Sequence, residues 1–499
     1  MKSASTNEYK AIAAGLKLPH LAVIDGELRS SASGRTFPAI NPADGSTLTA
    51  VADCQTVDID EAAAAARRAF EDGRWSRMPL AERRGILLKL ADLIDRDCQQ
   101  LAVMETLDSG KPISCSLTED VPGAAESFRF AAESMDKINS EVLPADEEEI
   151  CLTRLEPYGV CAAVLLWNFP LGTAAMKIAP ILAAGNSVIA KPASAASLTT
   201  LKLGELALEA GIPAGVLNVV PGKGSVIGEY LGKHPDVDLI TFTGSTDVGK
   251  SLLVSSGSSN TKRVLLELGG KSPAVVMPGI SDPQAAAEEI VAAALWNMGE
   301  NCTQNSRILL HEDIHDEMVS LILKEMEAWQ PGDPLDPATM QGALISREHM
   351  EKVLRYIETG KKEGARLLCG GRQIMKDSGG CYLEPGVFDG CSRKMTIMQE
   401  EIFGPLFGIE TFRTVDEAIA MANDTRYGLQ ASVYADDVNE ISQLCRGIRA
   451  GVISVNEFSE GGLNAPFGGF KQSGFFNRDN SLMSIRQFME LKTVIVKVR

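Results

Sequence analysis

Apolar residues recur at three- to four-residue intervals through 58–71, 80–108 and 121–139, and this spacing predicts helices in the first third of the chain. From residue 160 the pattern changes. Short apolar runs at 160–167, 187–191, 216–220, 239–243 and 263–267 alternate with helical spacing at 174–184, 198–209, 226–234 and 248–256. Strands that are apolar throughout are covered on both faces, and their alternation with helices implies right-handed crossovers in a parallel sheet. That is an α/β architecture of nucleotide-binding type.

A second alternating region follows Ser272. A helix over 283–298 leads into a loop at Cys302, and further elements run to about residue 470, with Gly- and Pro-rich turns at 331–337 and 378–390. Two extended segments, 149–156 and 488–498, lie far from either region. They are expected to pair in a small sheet of their own. No internal repeat or low-complexity segment is visible.

A chain of 499 residues exceeds what one core supports, so two or three domains are expected. The net charge of -18 argues against nucleic acid or an anionic membrane as partner, since both need a basic face. The longest apolar runs fall well short of a membrane span, and 11–16 is too short for a signal-peptide core. Ten cysteines without a disulfide framework imply a reducing, cytoplasmic setting. No C-x-x-C occurs, and His20, His234, His311, His315 and His349 form no ligand cluster, so no metal site is expected.

Candidate chemistry gathers at a few strand and helix ends. Gly222–Gly228 and Phe242–Gly249 each follow a predicted strand and open a helix, where free backbone N–H groups stabilise an anion. Neither is the G-x-G-x-x-G fingerprint, and tight turns explain them equally well. Asn168, in Trp167-Asn168-Phe169-Pro170, is either an oxyanion donor or a helix cap. Cys302, in Asn297–Thr303, suggests a thiol that attacks a carbonyl. Glu267, in Leu266–Lys271, suggests a carboxylate that later activates water.

Taken in order, Trp167–Pro170, Lys191–Ser194, Phe242–Ser245, Leu266–Lys271, Gly299–Cys302, Glu400–Pro405 and Pro466–Gly469 resemble the motifs of the NAD(P)-dependent aldehyde dehydrogenase superfamily. The resemblance covers the chain from about residue 20. Within the superfamily it is nearest to bacterial gamma-glutamyl-gamma-aminobutyraldehyde and related aminoaldehyde dehydrogenases, through Ile59-Asp60, Trp329–Gly332, Pro334–Pro337 and Phe470–Gly474.

The resemblance implies an aldehyde dehydrogenase-like fold in three parts. These are a Rossmann-type cofactor domain (20–139 and 159–270), an α/β catalytic domain (271–475) and a small β oligomerisation extension (140–158 and 486–499). It implies a homodimer or homotetramer. It assigns Cys302 as nucleophile, Asn168 with the Cys302 N–H as oxyanion donors, Glu267 as base, and Lys177 to the position behind the Asn. Trp167, Lys191, Ser194, Gly224, Gly244, Ser245, Glu401 and Phe403 would hold NAD or NADP. Phe169, Met176, Asn301, Thr303 and Phe467 would wall the substrate tunnel.

Three features depart from the resembled pattern. Ser194 stands where strictly NAD-dependent members usually carry Glu, so NADP is expected to be accepted. Met176 replaces a common Trp and softens the tunnel. The run Phe475-Phe476-Asn477-Arg478 is one residue longer than usual. Carboxylates at Glu119, Asp120, Glu457 and Glu460 are expected around the mouth, favouring an amino- or guanidino-terminated aldehyde and repelling succinic semialdehyde. Competing readings are a succinic semialdehyde or broad aliphatic or aromatic dehydrogenase, a CoA-acylating relative, a cofactor-independent Cys esterase, and a non-catalytic protein. Glu267 speaks against the acylating relative, and the cofactor motifs against the esterase.

Overall fold

The computed structural model describes residues 4–498. Its first sheet has eight strands, five of which are adjacent and parallel: Arg263–Glu267, Leu239–Thr243, Val160–Val164, Ser187–Lys191 and Leu217–Val219. Short antiparallel strands extend it at both edges: Gly474–Phe475 beside Glu267, and the hairpin Ala22–Ile24 with Glu27–Arg29 at the other side. Successive side chains of a strand point to opposite faces, and each face here has its own core. Cys161, Ala163, Val188 and Ala190 join one apolar cluster with helices Leu80–Arg96, Val121–Ser134 and Pro170–Ala184. Val160, Ala162, Val164 and Ile189 join another with helix Thr56–Glu71. Double coverage is why these strands are apolar on both faces through most of their length.

Five residues after strand Arg263–Glu267 ends, strand Ser272–Val276 begins a second sheet of seven strands. The two sheets therefore meet end to end at this link, with Glu267 closing a strand of the first and Ser272 opening one of the second. Strand Met489–Lys497 pairs antiparallel with Glu149–Pro157 along its full length, and Val142–Leu143 adds a third strand. The two extended segments do pair. Arg499, the last residue of the expected oligomerisation extension, lies outside the described residues. Among the described residues no helix is long and apolar enough to cross a membrane.

Several predicted boundaries move. The 80–108 run is two helices, Leu80–Arg96 and Cys98–Ser109, broken at Asp97, whose carboxylate bonds the Arg96 guanidinium at 2.7 Å. A short polar side chain at such a break competes with the helix. The 160–167 run leaves the sheet after Val164, and the 226–234 helix begins as a π-helical turn over Gly224–Gly228. Helix 283–298 stops at Leu295, because Asn297 and Met298 take left-handed backbone angles (φ 51° and 57°). That turn aims the Cys302 loop toward the junction of the two sheets. The N-terminal helix Thr6–Gly15 and the first four short strands have no counterpart in the apolar pattern.

Candidate active site

The left-handed turn before Cys302 is held by an amide. Asn297 Nδ2 donates to the backbone carbonyls of Asn168 (3.1 Å) and Glu300 (3.0 Å), tying the cysteine loop to the end of the first sheet. Asn168 answers across the junction, its Nδ2 donating to the Glu300 carbonyl at 2.8 Å. One N–H of a two-donor amide is thereby used, which fixes its plane and leaves the second free. Gly270 lets the loop approach: a Cβ there would lie 2.1 Å from the Cys302 carbonyl oxygen. The thiol itself is partly exposed.

Two cavities meet at this sulfur. The larger, about 260 Å³, is lined among others by Phe169, Met176, Trp296, Phe467, Asn301, Glu119 and Glu460, and reaches Asn168 and Glu267. The smaller, about 220 Å³, is lined among others by Trp167, Gly244, Ser245, Gly269, His349, Glu401 and Phe403. Cys302, Leu166, Thr243 and Leu268 belong to both linings. Glu401 is anchored by the Gly270 N–H at 2.9 Å, and burial raises its pKa to about 7. Lys191 and Gly224 lie beyond the smaller cavity's lining, next to one another, and Ser194 follows half-buried in the turn after strand Ser187–Lys191. Burial lowers Lys191 to about 8, and its ammonium donates to the Pro192 carbonyl at 2.8 Å.

Glu267 ends its strand fully enclosed. Burial first, and then Asp479, raise its pKa to about 8, while Lys177, Asn477 and Arg478 pull the other way. Its Oε1 accepts from Asn477 Nδ2 at 2.8 Å, and its Oε2 has no partner among the described residues. Burial pushes the Cys302 thiol well above its ordinary range, and the carboxylates Glu460, Glu401 and Glu267 add to this in that order.

Some residues expected at the site stand elsewhere. Lys177 lines neither cavity; it is buried behind Glu267, with Nζ 2.6 Å and 2.9 Å from the two Asp479 oxygens. Thr303 is buried beneath the wall and reaches the cavity only through its hydroxyl, which donates to Glu460 at 2.5 Å. Glu457 is exposed and outside the lining, in a loop whose backbone turns its side chain to solvent. Asp120 lines the cavity but is paired with buried Lys111 at 2.8 Å. Of the four carboxylates expected at the mouth, two line the cavity without an ion-pair partner among the described residues. Glu119 accepts from the Trp296 indole at 2.8 Å, and Glu460 from Thr303. Burial raises both.

Trp296 and Asp479 do not figure among the sequence candidates, and Asn477 does so only within the run Phe475–Arg478 that is one residue longer than usual. Trp296 had a readable signal, being a rare residue six positions before the thiol. The surplus residue near Asn477 was another.

The aldehyde dehydrogenase family model matches residues 28–494. The chain belongs to the aldehyde dehydrogenase family. It is 48% identical over 490 residues to the aminoacetaldehyde dehydrogenase of Pseudomonas aeruginosa, covering 98% of each chain. It is 42% identical over 487 residues to the NADP/NAD-dependent aldehyde dehydrogenase PuuC of Escherichia coli K12, covering 97% of each. The solved gamma-glutamyl-gamma-aminobutyraldehyde dehydrogenase from Burkholderia cenocepacia J2315 superposes with a TM-score of 0.97 at 45% identity, over 99% of this chain and 100% of that one. This aldehyde dehydrogenase oxidises an aldehyde to the carboxylic acid.

Proposed function

We propose that this aldehyde dehydrogenase uses NAD or NADP, works through a Cys302 thioester, and takes amino-terminated aldehydes. The meeting of two cavities at one sulfur carries the reading: a carbonyl bound at Cys302 from one side faces a hydride acceptor bound from the other. The smaller cavity fits a dinucleotide. Thr243 Oγ1 is buried there without a partner among the described residues, and Ser245 opens the helix Thr246–Gly257 with no side-chain cap on its N-terminal donors. Ser245, Gly244, Trp167, Glu401 and Phe403 would hold the group, with Lys191, Gly224 and Ser194 at its adenosine end. When bound, it supplies the hydride acceptor.

The chain's own residues do the rest. Cys302, as its thiolate, bonds the carbonyl carbon while the C=O π pair moves to oxygen, and the oxyanion is held by the second N–H of Asn168 and the Cys302 N–H. Hydride loss from this thiohemiacetal leaves a thioester, which keeps an electrophilic carbonyl. Glu267 Oε2 then takes a proton from water as the water oxygen bonds that carbon and the C–S bond breaks. A carboxyl that titrates near neutral pH suits this task.

Glu119 and Glu460, in a wall otherwise rich in apolar residues, support an ammonium-bearing substrate. The likeness to an aminoacetaldehyde dehydrogenase supports the same class. Ser194 beside Lys191 supports NADP acceptance, as does the likeness to an NADP/NAD-dependent relative. The half-exposed apolar edge of strand Met489–Lys497, with Leu491 and Ile495 each 64% exposed, supports a homodimer or homotetramer built on 140–158 and 486–499. The cofactor unit would comprise 20–139 and 159–270, and the catalytic unit 271–475. Acidic charge and scattered free cysteines support a cytoplasmic setting.

A kinetic panel tests the reading. The enzyme is offered 3-aminopropanal, 4-guanidinobutyraldehyde, propanal and succinic semialdehyde, with NAD or NADP, with and without CoA. Reduced cofactor should form without CoA. The kcat/KM for 3-aminopropanal should exceed that for succinic semialdehyde at least about tenfold. The reverse preference overturns the substrate class, and a CoA requirement overturns the hydrolytic step.

A further inference from the structure

The side chain of Asn477 is fully buried against Glu267 and has no part in the steps above. Its position follows from the register of the first sheet. Strand Gly474–Phe475 runs antiparallel to Arg263–Glu267, with Gly474 opposite Glu267 and Phe475 opposite Leu266. A continued strand would carry residue 477 away from the carboxylate. Instead Phe476 takes a left-handed conformation (φ 50°), a region any side chain resists, and the chain folds back. This is the stretch that is one residue longer than the resembled pattern.

The returning segment is fastened on several sides. Phe467 and Asp479 exchange both backbone hydrogen bonds, at 2.8 Å and 2.7 Å, and Arg478 donates to the Asn477 carbonyl at 2.7 Å. Gly468 makes room. A Cβ there would lie 2.8 Å from Glu267 Oε1 and 2.6 Å from the Asn477 carbonyl oxygen. The Asn477 amide then spans two carboxylates, with Nδ2 donating to Glu267 Oε1 at 2.8 Å and to Asp479 Oδ2 at 3.0 Å. Its Oδ1 accepts from Lys177 Nζ at 3.5 Å.

We propose that Asn477 is a positioning residue for the base: its amide ties Glu267 Oε1 to the Lys177–Asp479 ion pair and leaves Oε2 as the oxygen that takes the proton of the attacking water. The proposal rests on the reading of Glu267 as that base. The charged groups facing Glu267 are Asp479, Lys177 and Arg478, with Cys302 across the cavity. An N–H donated to a carboxylate favours its ionised form, so Asn477 opposes Asp479 and lowers the pH at which Glu267 can act. It also selects which oxygen faces the thioester.

The test compares wild type with Asn477→Ala, Asn477→Asp, Asn477→Gln and Glu267→Gln, using 3-aminopropanal. Two quantities are read: the pre-steady-state burst of reduced cofactor, and the pH profile of steady turnover. In Asn477→Ala the burst should persist, because thioester formation is untouched. The limb of activity that rises with pH should move up by roughly one unit, with about a tenfold loss at pH 7. Asn477→Asp, nearly isosteric, removes a donor and adds a carboxyl, so its limb should move further in the same direction. Asn477→Gln, which keeps the amide, should recover part of the shift.

A limb that stays in place in both Asn477→Ala and Asn477→Asp overturns the proposal, as does a burst lost in step with turnover. Glu267→Gln separates the two readings. If it keeps a burst and loses steady turnover while the Asn477 limb is unmoved, only Asn477 is wrongly assigned. If it turns over normally, Glu267 itself is wrongly assigned.

Discussion

Most of the smaller cavity beside Cys302 is made from consecutive residues at the ends of three adjacent parallel strands, Leu166-Trp167, Thr243-Gly244-Ser245 and Leu268-Gly269, with His349, Lys352, Glu401 and Phe403 closing its other side. The larger one is made from side chains that arrive from remote segments: Glu119 and Asp120 before one helix, Phe169 to Met176 on another, Trp296, and the 460–480 loops. A wall of backbone ends is set by the sheet and changes only if the sheet does. A wall of side chains can be altered one residue at a time. On the proposed reading, the dinucleotide side rests largely on the fold, while substrate choice rests on the adjustable side.

The hardest test of that division is the sulfur common to both walls. Replacing Cys302 with Ala should cut turnover by about ten-thousand-fold or more. Dinucleotide binding, read by fluorescence titration, should change little, since the backbone wall is untouched. Loss of both together would show that the cavities are one site and not two. Next in size is Ser194→Glu. A carboxylate beside Lys191 should repel a 2′-phosphate and lower kcat/KM for NADP by about a hundredfold, leaving that for NAD nearly unchanged. An equal loss with both cofactors would mean that position 194 supports the turn and does not discriminate.

The same contrast explains what could be read in the chain. Strands Ser187–Lys191, Leu239–Thr243 and Arg263–Glu267 match their predicted ranges to the residue, because burial on both faces keeps their centres mostly apolar and polar residues mark most of their ends. The glycines and Ser245 at their tips follow directly. The other wall depends on pairings between remote segments. Nothing local in Glu119-Asp120 tells that Asp120 is neutralised by Lys111 while Glu119 is not. Nor does the 457–460 loop reveal that only its last carboxylate turns inward. Lys177 was visible as a position, but its partner Asp479 lies 302 residues away. Boundaries slipped for a related reason. Apolar spacing continues through Asp97 and through Trp296–Gly299, although the backbone does not remain helical there.

On the adjustable side, Glu460→Gln should raise KM for 3-aminopropanal by about tenfold and leave propanal unaffected, because it removes a carboxylate and not the shape of the wall. A matching rise for propanal would show that Glu460 shapes the cavity.

The smallest expected effect is also the most direct link between the two walls, and it concerns the thiol's own titration. Of the carboxylates that raise Cys302, Glu460 on the substrate side contributes most, followed by Glu401 on the dinucleotide side. A negative neighbour disfavours a thiolate, so neutralising either one moves the thiol's titration to lower pH. The inactivation rate by iodoacetamide, followed against pH, should therefore shift its midpoint downward in Glu460→Gln, less in Glu401→Gln, and not at all in Glu119→Gln. Glutamine at 460 can still accept from the Thr303 hydroxyl, so the loop keeps its hold and the change is one of charge. If Glu401→Gln shifts the midpoint more than Glu460→Gln, the dinucleotide side governs the sulfur, and the adjustable wall selects substrates without tuning the nucleophile.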